Sequence, residues 1–306
     1  MFSVENAATP NPSALDELVP SRYALTVGDI DVLVVSDGVL PLPTQMLGHN
    51  AKQTERDKWF DEMYLPRDAF DWALNAMLVR SADRTILIDA GLGTDPDLHL
   101  PRAGQLIGRL GAAGIDLTEV TDVVITHMHM DHIGGLLLDG IKERLNPNLQ
   151  IHIAASEVEF WKSPDFTRTN MPDGFPDALR ATAKTFWTEY SNYIRTFDDE
   201  REVAPGVRVR RTGGHTPGHS VVRIESNGEA LTFAGDAVFA VGFDQPTWHN
   251  GFEHDPEEAA RVRIGLLKDL AGTGELLAAT HLPFPSIGRV SADGEVFRWV
   301  PAFWDF

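Results

Sequence analysis

Thr126-His127-Met128-His129-Met130-Asp131-His132-Ile133-Gly134-Gly135 follows directly on the short apolar run DVVIT at 122–126. Four side chains able to ligate a metal fall within six residues, immediately after what reads as a buried strand. Alternate residues share a side of extended chain, so His127 and His129 can face one ion. Asp131 and His132 lie beyond the turn and can face another. Gly134 and Gly135 permit a close turn into a following helix. The chain has only 11 histidines in 306 residues, which leaves little room for a chance cluster of polar loop residues.

Working outward, three more segments each place a candidate ligand at the end of an apolar stretch. They are His215 in TGGHTPGH (212–219), Asp236 in LTFAGD (231–236) and His281 in LLAATH (276–281). Alone, each would be read as a packed or solvated residue at a strand end. Beside the first cluster they read as parts of one metal site. The chain contains no cysteine, which excludes a disulfide framework, a zinc–thiolate site and a cysteine nucleophile. A metal must therefore be held by His, Asp or Glu, a donor set that suits zinc, manganese or iron.

The rest of the chain supplies the frame. Residues 1–20 are polar and contain proline, and read as a loosely ordered arm without the basic and apolar regions of a signal peptide. Tyr23, Leu25 and Val27 alternate before a Gly28-Asp29 turn and an apolar stretch at 30–35. Residues 50–72 read as a helical or irregular insertion, and 74–79 and 85–89 as strands. Leu106, Ile107 and Leu110 predict an amphipathic helix within 101–113. Asn227-Gly228 and Asp293-Gly294 mark later hairpins. Asp255-Pro256, with Glu257 and Glu258 in the first turn, opens a helix over 255–271. Strands, helix, strand and helix thus occur twice, which predicts sheets flanked by outer helices in one domain, 21–306, with two similar halves.

The series HxHxDH, GHTPGH, AGD and a late histidine resembles the metallo-β-lactamase superfamily, from about residue 22 to the end. That resemblance implies an αββα sandwich of the α+β class with metals at one edge. It implies one ion on His127, His129 and His215, a second on Asp131, His132 and His281, and Asp236 bridging both. SDGVLPLP (36–43), EFWKS (159–163), HTPGHS (215–220), HLPFPSIGR (281–289) and FRWVP (297–301) are similar to the branch containing methyl parathion hydrolases, lactonases and aryl esterases. Two cations about 3.5–4 Å apart can share a water, lower its pKa and so present a bridging hydroxide to a carbonyl or phosphoryl centre. In that scheme Asp131 and Asp236 are the catalytic carboxylates, fixing geometry and offsetting repulsion between two divalent ions, zinc first, with Mn2+, Fe2+ or Co2+ as alternatives.

Around this centre, Asp89 at the end of LIDAG is expected to orient a ligand histidine. His219, four residues after His215, is expected to support the site rather than ligate. His152, between two isoleucines, reads as structural. His249 and His254 read as solvated loop residues, with lining the site as the alternative. The aromatic-rich insertion at about 156–200 is expected to pack on the sandwich, with Trp161, matched by EFWKS, on the pocket wall and Phe186 or Trp187 reaching it.

The expected function is a dinuclear hydrolase of small apolar esters, lactones or phosphotriesters. A formal net charge of −19 argues against a nucleic-acid partner, and hence against a nuclease of the same fold, and favours a neutral or cationic small molecule. An oxygen-reducing di-iron protein would carry an acidic ligand where His129 stands. A non-catalytic member would have lost ligands. A true β-lactamase is disfavoured by AGD and the HLPFPSIGR stretch. No apolar run predicts a membrane span. The expected location is cytoplasmic, and the branch resembled implies a homodimer.

Overall fold

The computed structural model describes residues 20–93, 100, 102–294 and 296–303; apart from Pro20, the expected N-terminal arm lies outside the described residues. Among these residues, fourteen strands form two seven-stranded sheets, each laid out in chain order. The first holds β1 (Arg22–Val27), β2 (Ile30–Pro43), β3 (Ala69–Ser81), β4 (Arg84–Ile88), β5 (Asp122–Val124), β6 (Gln150–Ala154) and β7 (Ile194–Phe197). The second holds β8 (Glu200–Ala204), β9 (Val207–Arg211), β10 (Ser220–Ser226), β11 (Glu229–Phe233), β12 (Leu276–Ala278), β13 (Gly288–Asp293) and β14 (Val296–Pro301). The chain passes from one sheet to the other between Phe197 and Glu200.

Strand alternation explains the layering. Val32, Val34, Ile86 and Ile88 point inward against Val207, Val222, Ile224 and Phe233 of the opposite sheet. Their neighbours Leu33, Val35 and Leu87 point outward, into a second apolar layer. Strands buried on both faces need near-continuous apolar sequence, which is why DVVIT and LTFAG are mostly apolar. Helices cover the outer faces. In chain order they are α1 (Gln53–Glu62), α2 (Leu106–Ala112), α3 (Met130–Ile133), α4 (Ala155–Trp161), α5 (Phe175–Tyr190), α6 (Val241–Asp244) and α7 (Pro256–Thr273). Leu106 and Leu110 of α2 and Ala183 of α5 pack on the first sheet, and Leu266, Leu267 and Leu270 of α7 on the second. The order helix, sheet, sheet, helix is the expected αββα sandwich.

Several boundaries differ from the sequence reading. The strand expected at 74–79 is the thirteen-residue β3, long enough to pair with the fourteen-residue β2, and it takes up the end of the supposed insertion at 50–72. The helix expected within 101–113 is confined to α2. Gly134 and Gly135 do not lead into a long helix: α3 precedes them, and they form a 3-10 turn through Leu137. Their smallness serves a close approach, since a Cβ would lie 1.9 Å from the Leu92 carbonyl oxygen at Gly134 and 2.0 Å from that of Ala90 at Gly135. The turn at Asn227-Gly228 has φ of 52° and 82°, as a two-residue hairpin of this sequence requires. Helix α7 starts as expected, with the Asp255 carboxylate accepting from the Glu258 N–H, and ends at Gly274 in the left-handed region.

The segment between α6 and α7 is held by a buried ion pair. Arg263 and Glu253 are both fully buried; the guanidinium donates to Glu253 and to the carbonyl oxygens of Pro246 and Trp248, and lies over the Phe239 ring. Burial pushes the Glu253 carboxyl up to about 7 even with the arginine beside it. Arg263→Met is expected to cost about 3–5 kcal/mol at pH 8, because an uncompensated carboxylate is left inside. The loss should shrink as pH falls from 8 towards 7, because without the arginine the buried carboxyl takes up its proton at a higher pH than in the wild type, while the unfolded chain, with an ordinary value of 4.5, binds none in this range. Urea denaturation of both proteins at pH 6 and pH 8 measures this; equal losses at the two values would mean that Glu253 is not the charge at issue.

Candidate metal centre

Two parallel strand pairs, β4–β5 and β11–β12, end at the same edge of the sandwich. The β4 end delivers Asp89, the β5 end His127 to His132, the β11 end Asp236 and the β12 end His281. The β9–β10 connection brings His215 and His219 to the same place. Backbone bonds stitch these loops across the sheets: Ser220 N–H donates to the Thr126 oxygen at 2.9 Å, and Asn75 N–H to the Thr280 oxygen at 3.0 Å.

The seven expected ligands converge. Donor atoms of His127, His129 and His215 lie within 4.8 Å of one another, as do those of Asp131, His132 and His281, and those of His127, His132 and Asp236. His129 Nδ1 faces His127 Nε2 at 3.0 Å and His215 Nε2 at 3.1 Å. Asp236 stands between the groups, Oδ2 3.4 Å from His215 Nε2 and 3.0 Å from His281 Nε2, and Oδ1 3.4 Å from His132 Nε2.

This donor set fits metal ions. Buried imidazole nitrogens face one another, and His132 Nε2 and Asp236 Oδ1 have no hydrogen-bond partner. Burial holds His127 and His215 well below the ordinary imidazole value and His129 down to about 3, so all three offer lone pairs at neutral pH. Burial also opposes a proton on His132 and His281. Around His132 the carboxylates of Asp131, Asp89 and Asp236 outweigh it, and around His281 those of Asp236 and Asp131 do, so both values rise. That surplus of negative charge is what a bound cation would neutralise.

The outward nitrogens show how the rings are aimed. His132 Nδ1 donates to Asp89 Oδ2 at 2.7 Å, and His281 Nδ1 to the Ala73 carbonyl at 2.9 Å. Asp89 sits at φ 58°, uncommon for a side-chain-bearing residue, and also accepts from the Thr126 N–H and hydroxyl. The structure thus puts Asp89 behind the His132 ring. His219 lies outside the ligand groups. Its Nε2 accepts from the Asp236 N–H at 3.0 Å, so its Nδ1 carries the hydrogen and donates to Thr212 Oγ1 at 2.8 Å. His152 is buried in the first sheet against Asp122, at 2.8 Å, away from the cluster.

Other expectations are corrected. His254 is not solvated: it is buried, with Nε2 3.4 Å from His129 Nε2, because the segment anchored by Arg263 folds back over the β9–β10 loop. His249 stays partly exposed beside His49. Phe186 does not reach the pocket; it faces the first sheet from α5, fully buried and stacked on Tyr190. Trp187, one position on, turns to solvent and is 43% exposed. The residues of α5 that do line the cleft are Phe175 and Leu179, two to three turns earlier on the helix. Trp161 is not on the cleft wall. Its indole N–H donates to Glu157 and its ring stands edge-on to His129 at 5.9 Å.

Three positioning residues escaped the sequence reading. Glu157, fully buried, accepts from the Met128 and Gly218 N–H groups, the Thr216 hydroxyl and the Trp161 indole, and so ties the two histidine loops together. Asn75 donates its amide to the carbonyl oxygens of Thr280 and Leu282, on either side of His281. Asp37 accepts from the Leu92 and Leu106 N–H groups; its carboxyl is pushed up to about 6 by burial. Each looks like an ordinary polar residue in sequence, and no spacing rule marks it.

A narrow cleft opens on the cluster, with His129, Asp131, Asp236 and His281 at its floor and Leu40, Leu42, Trp72, Phe175, Leu179 and Phe252 among its walls. Among the described residues, no helix is long and apolar enough to cross a membrane.

Known proteins are similar to this chain in sequence and fold. N-acyl homoserine lactonase AiiB of Agrobacterium fabrum is 27% identical over 203 residues, 60% of this chain and 70% of that protein. A hydroxyacylglutathione hydrolase of Methylobacterium is 26% identical over 170 residues, about half of each chain (55% and 53%). Among solved structures, AidC, a dizinc quorum-quenching lactonase in complex with a product, superposes with a TM-score of 0.82 at 25% identity, covering 94% of this chain and 99% of that one. A hydrolase named AbOPH, of the beta-lactamase superfamily, superposes equally well, with the same identity and coverage. The sequence matches the metallo-beta-lactamase superfamily over residues 70–291, which takes in every motif of the cluster. The chain is therefore a member of the metallo-β-lactamase superfamily and a metal-dependent hydrolase.

Proposed function

We propose that the protein hydrolyses small neutral lactones or esters with an apolar acyl arm, N-acyl homoserine lactones being the first class to test. The observation that carries this reading is the cleft, whose apolar walls lead onto a floor of carboxylates and imidazoles. The lactonase relatives support the same class of substrate, and the acidic surface favours a neutral one.

In this reading His127, His129 and His215 hold one cation, and Asp131, His132 and His281 another, with Asp236 shared. When bound, two such cations supply the Lewis acidity that activates a water and polarises the scissile oxygen. The protein's own part is to aim and to exclude. Asp89 and the Ala73 carbonyl fix the His132 and His281 rings by holding their Nδ1 protons. His219 holds the backbone of Asp236. The apolar walls bury the acyl arm and keep bulk water from it. Zinc is the proposed metal, by the donor set and the dizinc neighbour. A phosphotriester is a second candidate substrate, because nothing on the cleft floor distinguishes a carbonyl from a phosphoryl oxygen.

Zinc-, manganese- and cobalt-loaded protein assayed on acyl-homoserine lactones, simple γ- and δ-lactones, aryl esters, methyl paraoxon and a cephalosporin tests the proposal. Lactones or esters with medium acyl chains should give the highest kcat/KM; turnover of the cephalosporin or phosphotriester alone would overturn it. Metal content is a separate check. The purified protein should hold close to two equivalents, and Asp236→Ala should lose metal and activity together. Full activity at one equivalent would rule out the shared-aspartate arrangement. For the walls, Phe252→Ala removes apolar contact of roughly 1.5–3 kcal/mol. At tenfold per 1.4 kcal/mol, kcat/KM for a long-chain substrate should fall about 10- to 150-fold. A short acyl ester should change little, and an equal loss on both would remove Phe252 from the wall.

A further inference from the structure

We propose that His254 is a positioning residue that selects the tautomer of His129 and so presents His129 Nδ1 to the metal; this rests on the reading of His129 as a ligand. The inference follows from which atoms can carry hydrogens. His254 Nδ1 lies 3.0 Å from the Asp165 carbonyl oxygen, which can only accept, so Nδ1 bears the hydrogen. The Nε2 of the neutral ring is then a bare lone pair. It faces His129 Nε2 at 3.4 Å, so the hydrogen between the two rings belongs to His129. A neutral imidazole has one N–H, and with it on Nε2 the Nδ1 of His129 is left bare. Nδ1 is the atom that faces His127 Nε2 and His215 Nε2.

The ring of His254 is itself firmly held. The backbone N–H of His254 donates to the His215 carbonyl oxygen at 2.8 Å, and that of Asp255 to the Gly214 oxygen at 3.0 Å. Phe160 and Phe166 pack against the imidazole at centroid distances of 4.8 and 5.1 Å. The relay runs from the exposed Asp165 carbonyl, past the Phe160 and Phe166 rings, through buried His254 to buried His129, where an unmatched N–H would be costly. It parallels the bonds from His132 to Asp89 and from His281 to Ala73, but here the acceptor is a second imidazole. The contact also assigns a role to the aromatic segment at 160–166 other than a substrate wall: it clamps the residue that aims a ligand.

The test is zinc affinity, measured on the full-length protein by competition with a chromogenic chelator, with the d–d spectrum of the cobalt form as a second readout. His254→Phe keeps the aromatic packing and removes the acceptor. It should weaken one of the two zinc equivalents by about 10- to 100-fold, alter the cobalt spectrum and leave the other equivalent nearly unchanged. His254→Gln, whose carboxamide can accept from His129 and donate to Asp165, should recover most of the affinity. Wild-type affinity in His254→Phe, or a Gln variant as weak as the Phe variant, would overturn the proposal and leave His254 a packing residue. His129→Ala separates this from the underlying reading. If that variant keeps both zinc equivalents at full affinity, His129 is no ligand, and the premise has failed rather than the relay.

Discussion

Seven side chains that have every reason to stay apart are held with their lone pairs and charges facing one another. His127 Nε2 and His129 Nδ1 stand 3.0 Å apart, and Asp131 and Asp236 share one end of His281. Apart from the carboxylates beside His132 and His281, the contacts among these groups oppose such closeness in the absence of a cation. The cohesion comes from the back: each loop is tied by buried bonds to something rigid, and the cluster is a by-product of where those ties lead. Glu157 draws together the Met128 and Gly218 backbones, Asp89 the Thr126 backbone and the His132 ring, and Asn75 the two peptides around His281. These residues are buried, and burying polar groups is tolerable only because nearly every atom finds a partner.

The two sheets make this economical. Each half of the chain folds into a sheet with a parallel strand pair, and each pair ends at the shared edge. A strand buried on both faces cannot shift register without turning apolar side chains the wrong way. A residue one or two positions past such a strand is therefore placed almost as firmly as the strand itself. That is why chemistry can be concentrated in loops such as 126–132 and 234–236 without those loops being loose. The cleft walls follow from the same frame. They come from β2, β3, α5 and the segment before α7, elements held by their own apolar cores, so the pocket's outline is set by packing distant from the reacting atoms.

Much of this was readable from residue order. DVVIT and LTFAG announce buried strands because their apolar residues run together with no charge inside the run, and the candidate ligands follow at once; His127 to His132 is dense enough to stand out from any loop. Hairpins with Asn-Gly and a capped helix with Asp255-Pro256 are local chemistry, and local chemistry is legible. What escaped was whatever depends on two segments meeting. Glu157 is one glutamate among many until Thr216 and Gly218 are brought against it. His254 looked like a solvated loop histidine because its burial is imposed by Arg263, nine residues on, and by Phe160 and Phe166, about ninety residues back. Phe186 was misassigned for a related reason. Its segment does border the cleft, but only at the start of α5: Leu179 and Phe186 share one helix face, seven residues apart, and Phe186 lies two turns farther along the axis, over the sheet, a position that composition alone does not fix.

The division of the donors between the halves has a mechanical consequence. His127, His129, Asp131 and His132 belong to the first sheet's half and His215, Asp236 and His281 to the second, and each group of three donor residues draws on both sides of the crossing at 198–199. An ion seated in either group is therefore a rivet through the sandwich as well as a reagent. Its binding free energy adds to the cohesion between the sheets by mass action. The grip of one half on the other is thus coupled to how much metal the surroundings supply.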